Sequence, residues 1–472
     1  MKTNIITAIL RKLLYGSSIK IVFLVLFITF SGTATSQLLF DKEEFSNRRD
    51  KLTEEIGDAI LIIRGAKMPV GYTQFYQYNN LMYLTGVDIP DIVLMIDGKA
   101  KESYLFMTTS IKEAKAEGFN LQLVKDPQGV TGMEKIYPRD EFTSVLDEKI
   151  KDHGIVYTTF SPNELMAEVS REKRNSIIRT MTNDEWDGRL SHEMQFINKL
   201  HGKYPGLIIK DCSPIIWDMR KLKSEAEVEL MRESGRIGVE AHKAVMKATG
   251  VNVTEKYLAN LFEFTCKNEG ASGLSYITII MSGTNHSYGH YHAYDRTLED
   301  GDFIILDAGP DYKYYDVDIS TTFPANGKFS EKQKECYELA LLVSETCLKN
   351  YKPGITLGDV GNIAKKILVE NGYNTDNGRY QGSYRLRVVP TYNYGGYNHS
   401  IGMAVHDGMG TFNGTDEILK PGFVFACDIM TRADSVTSVR IEETVLITED
   451  GCEVLSKGLP RSIKEIEKFM KK

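Results

Sequence analysis

Three apolar runs in the second half of this chain end on an acid or enclose one. Phe303-Ile304-Ile305-Leu306 leads into Asp307, Phe423 to Cys427 leads into Asp428, and Glu442 sits in Val439-Arg440-Ile441-Glu442-Glu443, within an apolar neighbourhood that continues to Ile447. Runs of this length and β-branching read as buried strands. A carboxylate at the end of such a strand is expensive to leave unpaired, so the fold must bring a cation or a proton to each of these positions.

Asp318 lies eleven residues after Asp307, in Asp316-Val317-Asp318-Ile319-Ser320-Thr321-Thr322-Phe323-Pro324. A hairpin between the two segments would bring Asp307 and Asp318 together, and two carboxylates share a site only with a metal or a proton between them. His399 and His406 bracket Ser-Ile-Gly-Met-Ala-Val. Each acid alone reads more often as a solvated strand end or a salt-bridge partner; their joint order is what points to metal. Four carboxylates and an imidazole suit a hard or borderline divalent pair, manganese, cobalt, iron or zinc, and not a thiolate-preferring metal.

The 472-residue chain is too long for one core, so two domains are expected. A net charge of −7, without a clustered Lys/Arg stripe, argues against nucleic acid as a partner. Residues 1–36 carry basic Lys2, Arg11, Lys12 and Lys20, an apolar run Ile21 to Phe30, and Ala34-Thr35-Ser36 before Gln37: a signal-peptide pattern. The rival reading is an uncleaved anchor, although the apolar run is shorter than the ~20 residues that span a bilayer. Export is common to both readings, with a secreted or periplasmic location. Cleavage after Ser36 removes four basic and no acidic residues, taking −7 to −11, and leaves no stable membrane association. Six cysteines without a Cys-x-x-Cys pair give neither a zinc ribbon nor a redox motif.

Residues 37–212 form a first domain, with a polar helix around Arg48 and Arg49, strands at Ala59 to Ile63, Ile92 to Ile96 and Ser103 to Met107, and a helix over Asp184 to Lys199. Residues 213–472 form a second. There Ser224-Glu225-Ala226-Glu227 supplies a capping box for a long helix. Strands (Phe303 to Leu306, Val424 to Cys427, Glu443 to Thr448) then alternate with helices (Glu331 to Lys349, Leu357 to Asn371), a sheet with helices packed on it.

The order Asp307-Ala308-Gly309, Asp318-Ile319-Ser320-Thr321-Thr322-Phe323-Pro324, His399, His406-Asp407 and Arg440-Ile441-Glu442 resembles the aminopeptidase P and prolidase group. Phe75-Tyr76-Gln77-Tyr78-Asn79-Asn80-Leu81-Met82-Tyr83-Leu84-Thr85-Gly86 is similar to that group's amino-terminal domain. The resemblance implies an α/β (α+β) fold, a creatinase-like N-terminal domain followed by a C-terminal pita-bread domain. It implies a metallo-aminopeptidase that releases the first residue of peptides, with proline second, using a hydroxide bridging two metal ions, and a homo-oligomer. Asp307, Asp318, His399, Asp428 and Glu442 are then the metal ligands, with Asp318 and Glu442 bridging. His290 and His406 face the substrate and steady its tetrahedral intermediate, Arg440 orients the carboxylates on the substrate side, and Asp428 relays the proton.

Three positions depart from the family pattern. Asp428 stands where a glutamate is usual, Gly395 where a further histidine lines the proline pocket, and Thr321 where an arginine follows the second aspartate. The shorter Asp428 exposes proton transfer more than metal binding, because transfer demands heavy-atom distances of ~2.6–3.2 Å. A peptide-binding protein of the same fold with impaired catalysis is the alternative. A creatinase-type hydrolase without metal is a third reading, disfavoured by the nearly complete acidic ligand set.

Overall fold

The structure, a computed structural model, describes residues 38–69, 71, 74–162, 171–373, 380–381, 385–388, 398–408 and 416–471. The leader 1–36 and Gly395 lie outside the described residues.

Helix α1 (Lys42–Ile56) precedes strand β1 (Ile60–Arg64), and helix α2 (Asn79–Thr85) precedes β2 (Val93–Asp97) and β3 (Glu102–Phe106). With β4 (Lys135–Tyr137), β5 (Ile155–Thr158) and β6 (Ile208–Asp211) they form a six-stranded mixed sheet ordered β4-β3-β2-β1-β5-β6. The unbroken apolar run of β1 follows from its central place. Ile60 and Ile62 enter one core with Val93, Tyr104 and Phe142, while Leu61 and Ile63 enter another with Phe45, Leu52 and Leu84. A strand covered on both faces has no polar alternation.

The helix expected over Asp184 to Lys199 begins later, as α3 (His192–Lys203). Asp184 Oδ1 accepts from the amides of Trp186 and Asp187 at 2.8 and 2.9 Å, and Gly188 turns left-handed at φ 64°. This local alternative diverts the backbone from the helix. Ser191 then caps α3 by accepting from the Met194 amide.

Helix α4 (Ser213–Lys221) leads to α5 (Glu225–Ala248), which carries the expected capping box of Ser224 and Glu227. After α6 (Glu255–Asn268) come β7 (Gly273–Leu274), β8 (Ile279–Ser282) and β9 (Phe303–Asp307). A short hairpin follows, β10 (Pro310–Tyr312) and β11 (Tyr315–Asp316), and then β12 (Ser320–Pro324). Helices α7 (Glu331–Asn350) and α8 (Leu357–Glu370) precede β13 (Tyr380–Gln381), β14 (Arg385–Val388), β15 (Val424–Arg432), β16 (Ser438–Ile447) and β17 (Cys452–Val454). These strands build an antiparallel sheet ordered β13-β14-β15-β16-β12-β9-β8, with β17 beside β16. Asp307 and Asp318 therefore do not flank one simple turn: the β10–β11 hairpin, paired with β7, stands between them.

Period-two alternation assigns the two faces of this sheet. Phe425, Cys427 and Ile429 on β15, Val439, Ile441, Val445 and Ile447 on β16, Ile304 and Leu306 on β9, and Phe323 on β12 enter the core with α5 to α8. The intervening residues, Asp307, Ser320, Asp428 and Glu442 among them, take the other face. A further core joins the two halves of the chain, uniting Phe40, Phe45 and Leu81 with Val228, Met231, Tyr314, Tyr315, Val424 and Leu446.

Gly309 lets the chain leave β9 between the two aspartates: a Cβ there would stand 1.8 Å from the Val317 carbonyl oxygen and 3.2 Å from Ser275 Oγ. Gly309→Ala is expected to lower unfolding stability by about 1–3 kcal/mol or more through overpacking against backbone. Gly289→Ala, where nothing lies within 4 Å, is expected to leave it within about 0.5 kcal/mol. Urea unfolding of the two variants measures the difference.

Candidate metal centre

The antiparallel register draws the acids into one row. Asp307 on β9 pairs with Ser320 on β12, Ser320 with Glu442 on β16, and Glu442 with Asp428 on β15. Directly opposed residues share a face. Asp318, two positions before Ser320, joins the row where its amide donates to Thr444 Oγ1 at 2.9 Å. His399 is anchored beside it, its carbonyl accepting the Ala426 amide at 2.9 Å. The four carboxylates are at most 4% exposed and His399 is 8% exposed.

Asp318, His399 and Glu442 offer ligand atoms within 4.8 Å of one another. His399 Nε2 stands 3.5 Å from Asp318 Oδ2 and 3.6 Å from Glu442 Oε1. Asp307 and Asp428 meet through Arg440 instead. Its Nε and Nη2 take the two Asp428 oxygens at 3.0 and 2.9 Å, its Nη1 pairs with Asp307, and its Nη2 lies 3.1 Å from Glu442 Oε2. His406 stacks on His399 with ring centroids 4.0 Å apart. His290 lies on an exposed loop, while its neighbour Tyr291 packs with Tyr276 and Val405 in a small apolar cluster at the edge of the site.

Sequence reasoning missed two members of the row. Tyr276 Oη donates to Asp307 Oδ1 at 2.6 Å and also bonds Asp318 Oδ1, tying the first two acids together. Ser320 Oγ donates to Glu442 Oε2 at 2.9 Å. Ser320 was recoverable, since it is two residues from Asp318 and so shares its side of the chain. Nothing in the residues around Tyr276 signals its role. Thr321, on the helix-packed face, accounts for one departure from the family pattern. Its hydroxyl meets Nδ1 of buried His242 at 2.9 Å, and His242 Nε2 lies 3.0 Å from the Ala308 carbonyl oxygen. The substitution therefore turns away from the acids.

Burial dominates the electrostatics. It pushes Asp428 well above the usual carboxylate range, with Glu442 and Asp318 adding to the effect. Burial and then Glu442 push Asp318 up to about 6. For Glu442 burial also pushes upward, but Arg440 and His399 outweigh it and hold the group down at about 2. Burial disfavours the His399 imidazolium, yet Asp318 and Glu442 lift it to about 10. These opposed shifts describe a site short of positive charge. In the state that would bind metal, with His399 neutral and all four acids ionised, the carboxylates and one guanidinium leave a formal −3, and buried Glu442 Oε1 has no hydrogen-bond partner among the described residues. Such a donor set fits a pair of divalent cations.

Residues 229–449 match the model of metallopeptidase family M24, and residues 45–157 match that of the aminopeptidase P N-terminal domain. The Xaa-Pro dipeptidase of Mus musculus is 30% identical over 387 residues, 72% of this chain and 76% of the relative. The chain belongs to the aminopeptidase P family of M24 metallopeptidases. Its pita-bread domain supplies the row of acids, and its aminopeptidase P N-terminal domain supplies the first sheet. The Xaa-Pro aminopeptidase of Escherichia coli strain K12 is 28% identical over 466 residues, 91% of this chain and 98% of the relative. An aminopeptidase P-like chain from Bacillus anthracis has the same fold, with a TM-score of 0.77 at 26% identity, covering 91% of this chain and 98% of that one.

Metal binding by the folded state alone predicts that manganese, cobalt or zinc raises the unfolding temperature of chelator-treated protein. The gain is about 2.7 kcal/mol at a hundredfold excess over Kd. Glu442→Gln is expected to lose most of that gain; calorimetric scans with and without metal provide the check.

Proposed function

We propose that this chain is an exported aminopeptidase that releases the first residue of peptides with proline second. The observation that carries this reading is the row Asp307-Ser320-Glu442-Asp428, set by strand register and completed by Asp318 and His399. Relatives named Xaa-Pro aminopeptidase and Xaa-Pro dipeptidase support the proline preference. The basic, apolar and small-residue succession of residues 1–36 supports export.

Asp307, Asp318, His399, Asp428 and Glu442 would hold two divalent ions, with manganese the leading candidate, and when bound these would supply Lewis-acid activation of a water nucleophile and of the first carbonyl. Arg440 fixes the acids from one side, its bidentate grip orienting both Asp428 oxygens. Tyr276 fixes them from the other. Asp428 accepts the nucleophile's proton, with both of its oxygens oriented by Arg440. His406, held flat against His399, and His290, on the exposed loop, steady the negative charge that develops on the carbonyl oxygen.

Metal content by mass spectrometry, paired with Xaa-Pro peptide assays in manganese, cobalt and zinc, tests the reading. The expected result is two ions per chain and metal-dependent cleavage. Asp318→Asn should lose both ions and turnover, and full activity in that variant would sink the assignment. Asp428→Glu should raise kcat by restoring carboxylate reach. Two bound ions with no cleavage of any peptide would instead identify an impaired peptide-binding protein of this fold.

A further inference from the structure

The β10–β11 turn places two consecutive side-chain-bearing residues, Lys313 at φ 53° and Tyr314 at φ 73°, in the left-handed region. Hairpin turns of this shape favour asparagine and glycine, because a Cβ there is sterically costly. Strain of this kind persists only where the surroundings over-determine it. The turn's backbone is held within its own domain, the Lys313 amide donating to Ser272 Oγ at 2.8 Å and the Tyr314 amide to Asp311 Oδ1 at 3.1 Å, whereas the Tyr314 side chain is held by the N-terminal domain. Tyr314 is buried in the core shared by the two domains, and its Oη accepts the Gln77 amide at 3.0 Å and donates to Asp88 Oδ1 at 3.1 Å. The next residue, Tyr315, donates to Glu227 Oε1 at 2.8 Å, and Glu227 pairs with Arg48 of α1 at 3.2 Å.

The strained turn lies directly upstream of a candidate ligand. From Tyr314 the chain reaches Asp318 in four residues, passing Asp316, whose amide donates to the Gly402 carbonyl at 2.8 Å. The same N-terminal segment touches the other side of the site. Asn79, two residues after Gln77, donates from Nδ2 to the Met403 carbonyl at 2.5 Å, between His399 and His406. Gln77 and Asn79 are both fully buried. One short stretch of the first domain therefore holds two separate pieces of the second, and each piece carries a ligand of the Asp318–His399 pair.

We propose that Gln77–Asn79 is a strut that sets the separation of Asp318 and His399, with Tyr314 and Asn79 as its positioning residues. The inference rests on the metal-centre reading only for its catalytic consequence; the mechanical coupling is a property of the metal-free fold. Tyr314→Phe keeps the ring and removes the hydroxyl, and Asn79→Ala removes the opposite contact.

Hydrogen–deuterium exchange on the full metal-free chain reads the coupling. Tyr314→Phe should speed exchange across 399–407, and Asn79→Ala should speed it across 314–320, each by about fivefold. The first sheet, β1 to β6, should remain unchanged in both. The same variants should weaken Co2+ binding and shift its visible absorption bands, with kcat falling more than KM rises. Acceleration confined to the mutated residue's own segment, or spread evenly over β1 to β6, would overturn the strut. Reciprocal acceleration in a protein that binds no Co2+ would uphold the strut and discard the metal-centre reading, whereas Co2+ binding without reciprocal acceleration would do the reverse.

Discussion

Four carboxylates on one face of one sheet, each nearly stripped of water, impose the constraint on which the rest of this structure depends. Removing a carboxylate from water costs several kcal/mol even after relaxation, and the cost grows when its neighbours carry the same sign. The fold answers with Arg440 against three of the acids, Tyr276 between two of them, Ser320 on Glu442 and His399 against Asp318 and Glu442. The remaining deficit of positive charge is the chemical basis for metal binding. Asp318, His399 and Glu442 already offer ligand atoms within 4.8 Å of one another, while Asp307 and Asp428 are held by Arg440.

Such a row needs a rigid backing, and period-two alternation provides it. Asp307, Asp428 and Glu442 are each flanked along their strands by apolar residues driven into the helices behind: Leu306 beside Asp307, Cys427 and Ile429 beside Asp428, Ile441 beside Glu442. A slip of one residue in any of these strands would carry its acid into the helix core. Hydrophobic packing on one side thus fixes the electrostatic arrangement on the other. The buried His242, joining the Ala308 carbonyl to Thr321 behind the sheet, reinforces the β9–β12 pairing at the level of the acids.

The two halves of the chain are less separate than their sequences suggest. Composition and length lead to two domains with two cores, yet Tyr314, Tyr315, Val424 and Leu446 share a core with Phe40, Phe45 and Leu81. The N-terminal domain also reaches the loop that carries both histidines, through Asn79 and through the contact of Arg220 Nη1 with Asn80 Oδ1. Arg220 Nη2 in turn pairs with Asp407 at 2.5 Å. Buried polar contacts of this sort depend on the whole fold being assembled, and they make the first domain part of the framework of the site.

Local rules carried far along this sequence. The capping box at Ser224 and Glu227, the strand ending in Asp307, and the long helices α5, α7 and α8 follow from nearest-neighbour chemistry, whereas β15 runs on past Asp428, the expected strand end, to Arg432. The helix expected from Asp184 failed because a side chain competing for its own backbone is a local effect stronger than periodicity. The bonds of Tyr276 to two of the acids and the pairing of the β10–β11 hairpin with β7 could not be read in advance. Each depends on which residues meet across strands far apart in the chain. The sequence by itself determined that several carboxylates would be buried and would demand positive charge; only the tertiary structure decided which of them face one another. Hydrophobic patterning specifies which side of a strand is buried, whereas the partner opposite each residue is chosen by register, a property of the assembled sheet.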